Sequence, residues 1–231
     1  MKAVLEAVQL RKSFGVTEAL RGADLSVHAG EVMAVMGPSG SGKSTLLHCM
    51  AAILRPDAGS VVFDGRRIDA LGDRQRTQLR RGAFGFVFQF GQLVPELTAI
   101  ENVATPLLLA GQRRRTAIAA AQGWFDRLGL AGLQGRLPGE LSGGQAQRVA
   151  VARALIGRPR VVFADEPTGA LDTAAGDDVM ELLVDAVRQQ DAAVIVVTHE
   201  PRVAAFADRT VLVQDGAVDD GAIEVGAGAA G

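Results

Sequence analysis

Cysteine occurs once, at Cys49, so no internal disulfide can form and the fold does not depend on an oxidising compartment. Neither sign of charge dominates. Twenty-six acidic against 24 basic side chains leave a formal charge of -2, which excludes a whole-molecule positive field directed at nucleic acid or an anionic bilayer, though not a local patch. Long apolar runs are missing too. A membrane-crossing helix needs about 18 consecutive apolar residues, and even the run 192–197 gives way to Thr198-His199-Glu200. The opening Met1-Lys2-Ala3-Val4-Leu5-Glu6 carries charge inside its apolar stretch and does not read as a secretory leader. Aromatic residues are scarce, at 4%. What is present is 231 residues, 48% of them apolar, enough for one domain's core or one domain with a small appended lobe. A cytosolic location fits, with any membrane role peripheral or carried by another chain.

Short strands separated by turns are expected first, over 3–10, 23–27 and 32–36, the last bounded by glycines as a buried strand would be. A helix is expected over 43–53, stopped before Arg55-Pro56. A strand at 61–63, a polar helix at 72–81 and a strand at 83–88 follow, and the antiparallel pattern suggests a β-rich lobe over about 1–30 and 59–88. The middle third reads as a helical insertion, about 90–157. Thr98 and Glu101 form a capping-box pattern opening a helix to Leu109, bent or interrupted at Pro106. Further helices are expected over 113–128 and 142–156. From Arg160 onward the rhythm alternates: strands at 161–164, 194–197 and 210–213 and a helix at 174–188 predict a mostly parallel sheet covered by helices. The domain is expected to end near 219. The glycine- and alanine-rich residues 220–231 read as a tail, with one short strand at most after Gly216.

Gly37-Pro38-Ser39-Gly40-Ser41-Gly42-Lys43-Ser44-Thr45 fits the spacing Gly-x-x-x-x-Gly-Lys-Ser/Thr, after a predicted strand and opening a predicted helix. Glycines let successive backbone amides turn inward, and the helix start adds partial positive charge, which together suit a phosphate. Lys43 is expected to reach the β- and γ-phosphates and the Ser44 hydroxyl to ligate magnesium. The bland alternative is a tight turn before a helix. A second feature supports the phosphate reading: the apolar strand Val161-Val162-Phe163-Ala164 ends in Asp165-Glu166. Asp165 is suited to hold magnesium and Glu166 to polarise the water attacking the terminal phosphate. Without the upstream loop, the two acids would read as ordinary capping and turn residues.

Leu141-Ser142-Gly143-Gly144-Gln145, continued by Ala146-Gln147-Arg148-Val149-Ala150, resembles the signature sequence of ATP-binding cassette (ABC) ATPases. Ser142 can cap the following helix, and its hydroxyl with the Gly143 and Gly144 amides makes an anion-binding helix start. The resemblance runs from about Leu5 to Val218 and implies an α/β P-loop NTPase with a mostly parallel core sheet, an antiparallel β lobe and a helical subdomain. It further implies that the signature meets ATP bound to a second subunit, giving a head-to-tail homodimer.

By the same resemblance, Phe14 stacks on adenine where tyrosine is commoner, unless it is simply a core aromatic. Gln89 contacts magnesium and water, and its loop to Leu97 senses a membrane partner. Asp172 belongs to the cross-dimer loop, and His199 touches the γ-phosphate. Within the family the chain is similar to the branch of lipoprotein-release, macrolide-export and cell-division ATPases, through Gly85-Phe86-Val87-Phe88-Gln89, Leu97–Val103 and Ala164–Asp172. That branch implies ATP and Mg2+ as ligands, integral membrane permease subunits as partners, no nucleic acid, and a peripheral place on the cytoplasmic face of the membrane. The expected activity is ATP hydrolysis driving export or extraction of a lipophilic or peptide-like substrate. Ala146 departs from a common glutamine, weakening a polar contact there.

Three rivals remain at this level. A cell-division-type clamp regulating an extracytoplasmic wall hydrolase would use nearly the same motifs. A soluble tandem cassette would need a second motif set, and a small nucleotide kinase leaves residues 141–145 unexplained. The basic stretch Arg74, Arg76, Arg80 and Arg81 reads as a solvated face, and His28, His48 and Cys49 as structural residues.

Overall fold

The computed structural model describes residues 2–219; the tail expected over 220–231 lies outside them. In chain order the strands are β1 Ala3–Phe14, β2 Thr17–His28, β3 Val32–Met36, β4 Ala58–Phe63, β5 Arg66–Arg67, β6 Phe84–Phe88, β7 Val161–Asp165, β8 Ala193–Val197, β9 Arg209–Gln214 and β10 Ala217–Asp219. The helices are α1 Lys43–Met50, α2 Asp73–Ala83, α3 Ala99–Leu109, α4 Arg114–Arg127, α5 Gly143–Leu155, α6 Thr173–Gln190 and α7 Pro201–Ala204.

Two sheets result. The smaller runs in the order β2-β1-β4-β5 and is antiparallel throughout. The larger runs β10-β9-β3-β8-β7-β6, parallel except for the β10 edge. The expected extension of the β lobe to residue 88 is therefore corrected at its end. Strand β6 pairs in parallel with β7, from Phe84 opposite Val161 to Phe88 opposite Asp165. Its aromatic side chains link the two sheets: Phe84 meets both Phe163 of β7 and Phe63 of β4 edge-on with centroids 5.1 Å apart, and Phe86 stacks on Phe163 at 5.6 Å.

The period-two alternation of the central strands feeds two cores. Met33, Val35, Phe163, Ile195 and Val197 face α1 and the antiparallel sheet. Val32, Val162, Ala164, Val194 and Val196 face the other way, into a core shared with α3, α4, α5 and α6. Both faces are covered, which is why these strands read as continuous apolar runs rather than alternating ones. The helical stretch is thus fused to the sheet through one apolar core. Helix α3 runs through Pro106 without interruption, with Thr98 and Glu101 forming its capping box. Cys49 is buried, and burial pushes its thiol up to about 11, so it is an inert core residue.

The basic stretch is only partly a solvated face. Arg76 is 7% exposed and donates to the carbonyls of Ala52 and Ile53, just past the end of α1. Arg80 also donates to Ala52 O, at 2.6 Å. These guanidiniums satisfy helix-end carbonyls that would otherwise lack donors.

Candidate functional site

Four neighbouring parallel strands, β3, β8, β7 and β6, deliver the site from their C-terminal ends. Val35 lies opposite Val197, Val197 opposite Asp165, and Asp165 opposite Phe88. The segments that follow, at Gly37, His199, Glu166 and Gln89, therefore emerge in one row, the usual ligand crevice of an open α/β sheet.

The loop after β3 is shaped by glycines where other residues could not fit. Gly37 has φ +148°, and a Cβ there would lie 2.1 Å from Val213 O. Gly42 has φ +106°, with Ala19 O at 2.3 Å from such a Cβ. At Gly40, by contrast, an added Cβ would meet nothing within 4 Å, so this part of the loop opens outward. The Lys43 amine folds back and donates to Gly37 O and Pro38 O, each at 2.8 Å. Lys43 is 8% exposed, and Ser41 Oγ is buried without a hydrogen-bond partner. A cationic amine parked on carbonyls, an orphaned hydroxyl and an open, glycine-lined cradle fit a phosphate chain.

Ser44 Oγ donates to Asp165 Oδ1 at 3.3 Å, joining the start of α1 to the end of β7. Strand alternation would send Glu166 to the opposite face, but its φ of +48° takes it out of the strand pattern. Its amide donates to Val197 O and its carbonyl accepts from Gly169 N, which hold the turn. One carboxylate oxygen, Oε1, lies 2.7 Å from His199 Nδ1, while Oε2 is buried and unpartnered. Hydrogen bonding to Glu166, reinforced by its charge, raises the His199 pKa, with nearby Lys43 opposing. Ser44 and Asp165 bring a hydroxyl and a carboxylate oxygen together, donors suited to magnesium, and Gln89 follows the neighbouring strand β6. Among the described residues no cluster of three or more His, Cys, Asp or Glu is arranged for a metal.

The raised His199 pKa gives a checkable pH dependence. The ion pair contributes fully below the unfolded value of 6.5 and is lost as pH rises through the higher folded value. An NMR titration of the His199 ring is expected to give a midpoint above 6.5, returning toward the ordinary value in Glu166→Gln. A wild-type midpoint at or below 6.5 would refute the pairing in solution.

Gln89 packs against the loop before Asp172: a Cβ on Gly169 would lie 2.8 Å from its Nε2. Phe14 is 51% exposed, which rules out the core reading, and Lys12 Nζ sits 5.7 Å from its ring centroid. Ser142 caps α5 as expected. Its Oγ accepts from Gln145 N at 3.3 Å, and Gln145 Oε1 accepts from Ser142 N at 2.9 Å. Gly143 touches Leu171, with 3.3 Å from an added Cβ to Cδ2, and Asp172 Oδ1 caps α6 through Ala175 N. The capped starts of α5 and α6 therefore lie side by side. Ser142 makes no hydrogen bond to the Lys43 loop or the Glu166–His199 pair.

Several site-supporting residues were not singled out from the sequence. Gln147 is buried and donates to Phe88 O, and Arg153 donates to Gly91 O and Gln92 O, so both pin the segment that carries Gln89. Asn102, fully buried, bonds Val94 through both backbone groups and also reaches Leu97 O and Thr98 O. A polar residue on an otherwise apolar helix face was the available signal in each case.

Residues 20–169 match the family described as ABC transporter. The chain is 48% identical over 197 residues to lipoprotein-releasing system ATP-binding protein LolD 2 of Caulobacter vibrioides, covering 85% of this chain and 86% of that one. It is 46% identical over 222 residues to lipoprotein-releasing system ATP-binding protein LolD of Geobacter metallireducens, covering 94% and 99%. Among solved structures it is similar to the ATP-binding cassette MJ0796 in a dimeric, post-hydrolysis state bound to ADP and Pi. That match has TM-score 0.85 and 37% identity, over 93% of this chain and 96% of that one.

Proposed function

The chain belongs to the ABC transporter family as an ATP-binding, ATP-hydrolysing subunit, and from that premise we propose that it drives the release of lipoproteins through a separate membrane permease. Among the described residues no helix is long and apolar enough to cross a membrane; in this reading the subunit works peripherally, on the cytoplasmic face, against the permease. The lipoprotein-releasing relatives match nearly end to end, which favours this substrate class over the division-regulating alternative.

In this reading the Gly37–Thr45 loop binds the phosphates and Lys43 leaves its two carbonyls for phosphate oxygens. Phe14 offers an exposed ring to adenine. Ser44, Asp165 and Gln89 would hold magnesium, which would supply positive charge to the phosphate oxygens. Glu166 takes the proton of the attacking water, and His199 both steadies its carboxylate and faces the γ-phosphate. Two copies pair head to tail, so that Ser142, Gly143 and Gly144 of one copy reach the nucleotide on the other, with Asp172 beside that contact. The observation that carries the reading is the row of strand ends that sets Lys43, Asp165, Glu166 and His199 along one crevice.

The test is reconstitution. The subunit, purified with its membrane permease in proteoliposomes, is expected to release an acylated lipoprotein to a soluble acceptor only with ATP. Permease-stimulated hydrolysis without lipoprotein release, accompanied by activation of an external wall hydrolase, would overturn it in favour of the division-type role.

A further inference from the structure

Strand β1 ends in the half-exposed ring of Phe14, and one carboxylate grips the residues that lead to it. The last pair of the β1–β4 ladder is Arg11 with Ala58. Beyond it, Ser13 and Phe14 continue along β2, opposite Glu18 and Thr17. Asp57, one residue before β4, takes over on the other side. Its amide donates to Arg11 O at 2.8 Å, its Oδ1 accepts from Lys12 Nζ at 2.7 Å and its Oδ2 accepts from Ser13 N at 2.7 Å. Three consecutive residues of β1 are thus tied to one aspartate. The Lys12 ammonium held in this way lies over the Phe14 ring, 5.7 Å from its centroid and within reach of a cation–π attraction. The bond to Lys12 and that from the Ser13 amide keep the Asp57 carboxyl below its usual range. An ion pair near the surface adds little stability by itself; what this one fixes is the direction of the ring.

We propose that Asp57 is a positioning residue for the adenine base: through Lys12 and the Ser13 amide it holds the Phe14 ring with one face on the ammonium and the other free to stack on the base. The proposal rests on the reading that Phe14 stacks on adenine, and adds what orients the ring. Phenylalanine has no hydroxyl with which to anchor itself, and an exposed ring that must be ordered on binding costs rotamer entropy. A ring already held meets the base at a smaller cost. The same carboxylate also fixes the reach from base to phosphates. Helix α1 runs from Lys43 of the phosphate loop to Met50, and the chain that leaves it is tied back to β1 at Asp57. The stacking ring and the phosphate cradle are thereby kept at one spacing.

The test separates the base from the phosphates by titrating the purified full-length subunit calorimetrically with ATP and with inorganic tripolyphosphate, each with magnesium. The ratio of the two affinities measures what the base contributes. Asp57→Asn keeps an oxygen for the Ser13 amide and loses the charge that holds Lys12. It is expected to lower the ATP-to-tripolyphosphate ratio about fivefold, the scale of a cation–π contact, with tripolyphosphate affinity within about twofold of wild type. Lys12→Met is expected to give the same loss, and the double variant no more than either alone, because both act through one contact. Phe14→Ala sets the full scale and is expected to lower the ratio about tenfold or more, the worth of a stacked base. A ratio unchanged or raised in Asp57→Asn overturns the proposal, as does a double variant whose loss is the product of the single losses. Equal weakening of both probes assigns Asp57 to folding alone and also overturns it. A ratio unchanged in Phe14→Ala removes the adenine reading itself, an outcome distinct from a ring that holds the base without help from Asp57.

Discussion

Glu166→Gln is expected to slow ATP turnover by about 10²- to 10⁴-fold, the usual worth of a positioned general base, while ATP affinity stays within a few-fold of wild type. The substitution is nearly isosteric and leaves the backbone turn at φ +48° unchanged in its demands. What it removes is the proton-accepting capacity of Oε2, the oxygen that is buried and unpartnered while Oε1 is engaged by His199. ATP bound but not cleaved keeps both copies bridged, so the variant is expected to accumulate as a dimer on size-exclusion chromatography with ATP and magnesium. Turnover close to wild type would move the base role to another group. Loss of both binding and turnover would point instead to a collapsed site.

Lys43→Ala is expected to act at the earlier step, weakening ATP binding about 10²- to 10³-fold in a direct calorimetric or fluorescence titration. The estimate follows from losing charge-assisted hydrogen bonds to phosphate, each worth roughly 1.5–3 kcal/mol. The folded chain loses comparatively little, because Gly37 O and Pro38 O, the present partners of Lys43, sit at the mouth of an open loop where water can replace the amine. Thermal stability without nucleotide is therefore expected to change much less than affinity. Unchanged affinity would contradict the phosphate-loop reading at its centre. The two variants separate the crevice into its parts: one binds without cleaving, the other fails to bind.

The spacing of Gly37, Gly42, Lys43 and Ser44, the strand ending at Asp165 and the cap at Ser142 were legible because each is a local pattern with a local cause. Helix α5 begins where Ser142 and Gln145 say it must, since the capping bonds lie within four residues. Strand β6 was found but placed in the wrong sheet, because alternation along 84–88 carries no information about whether its partner is β4 or β7. The burial of Arg76 was equally invisible: its partners, Ala52 O and Ile53 O, are 24 and 23 residues away. Likewise, the adjacent acids of 165–166 predict opposite faces. Only the left-handed turn at Glu166, held by a bond to Val197 O, brings both toward the phosphate loop.

The strand order also governs when a newly made chain becomes able to consume fuel. Strand β8, made from residues 193–197, lies between β3 and β7 and is hydrogen-bonded to both. Until that late segment leaves the ribosome and wedges into place, no strand bridges β3 and β7 to set the lysine loop of the first fifth of the molecule at its working distance from the acids near residue 165. An unfinished polypeptide can thus carry a complete phosphate-binding sequence and still be idle, so that hydrolysis waits for a nearly whole subunit.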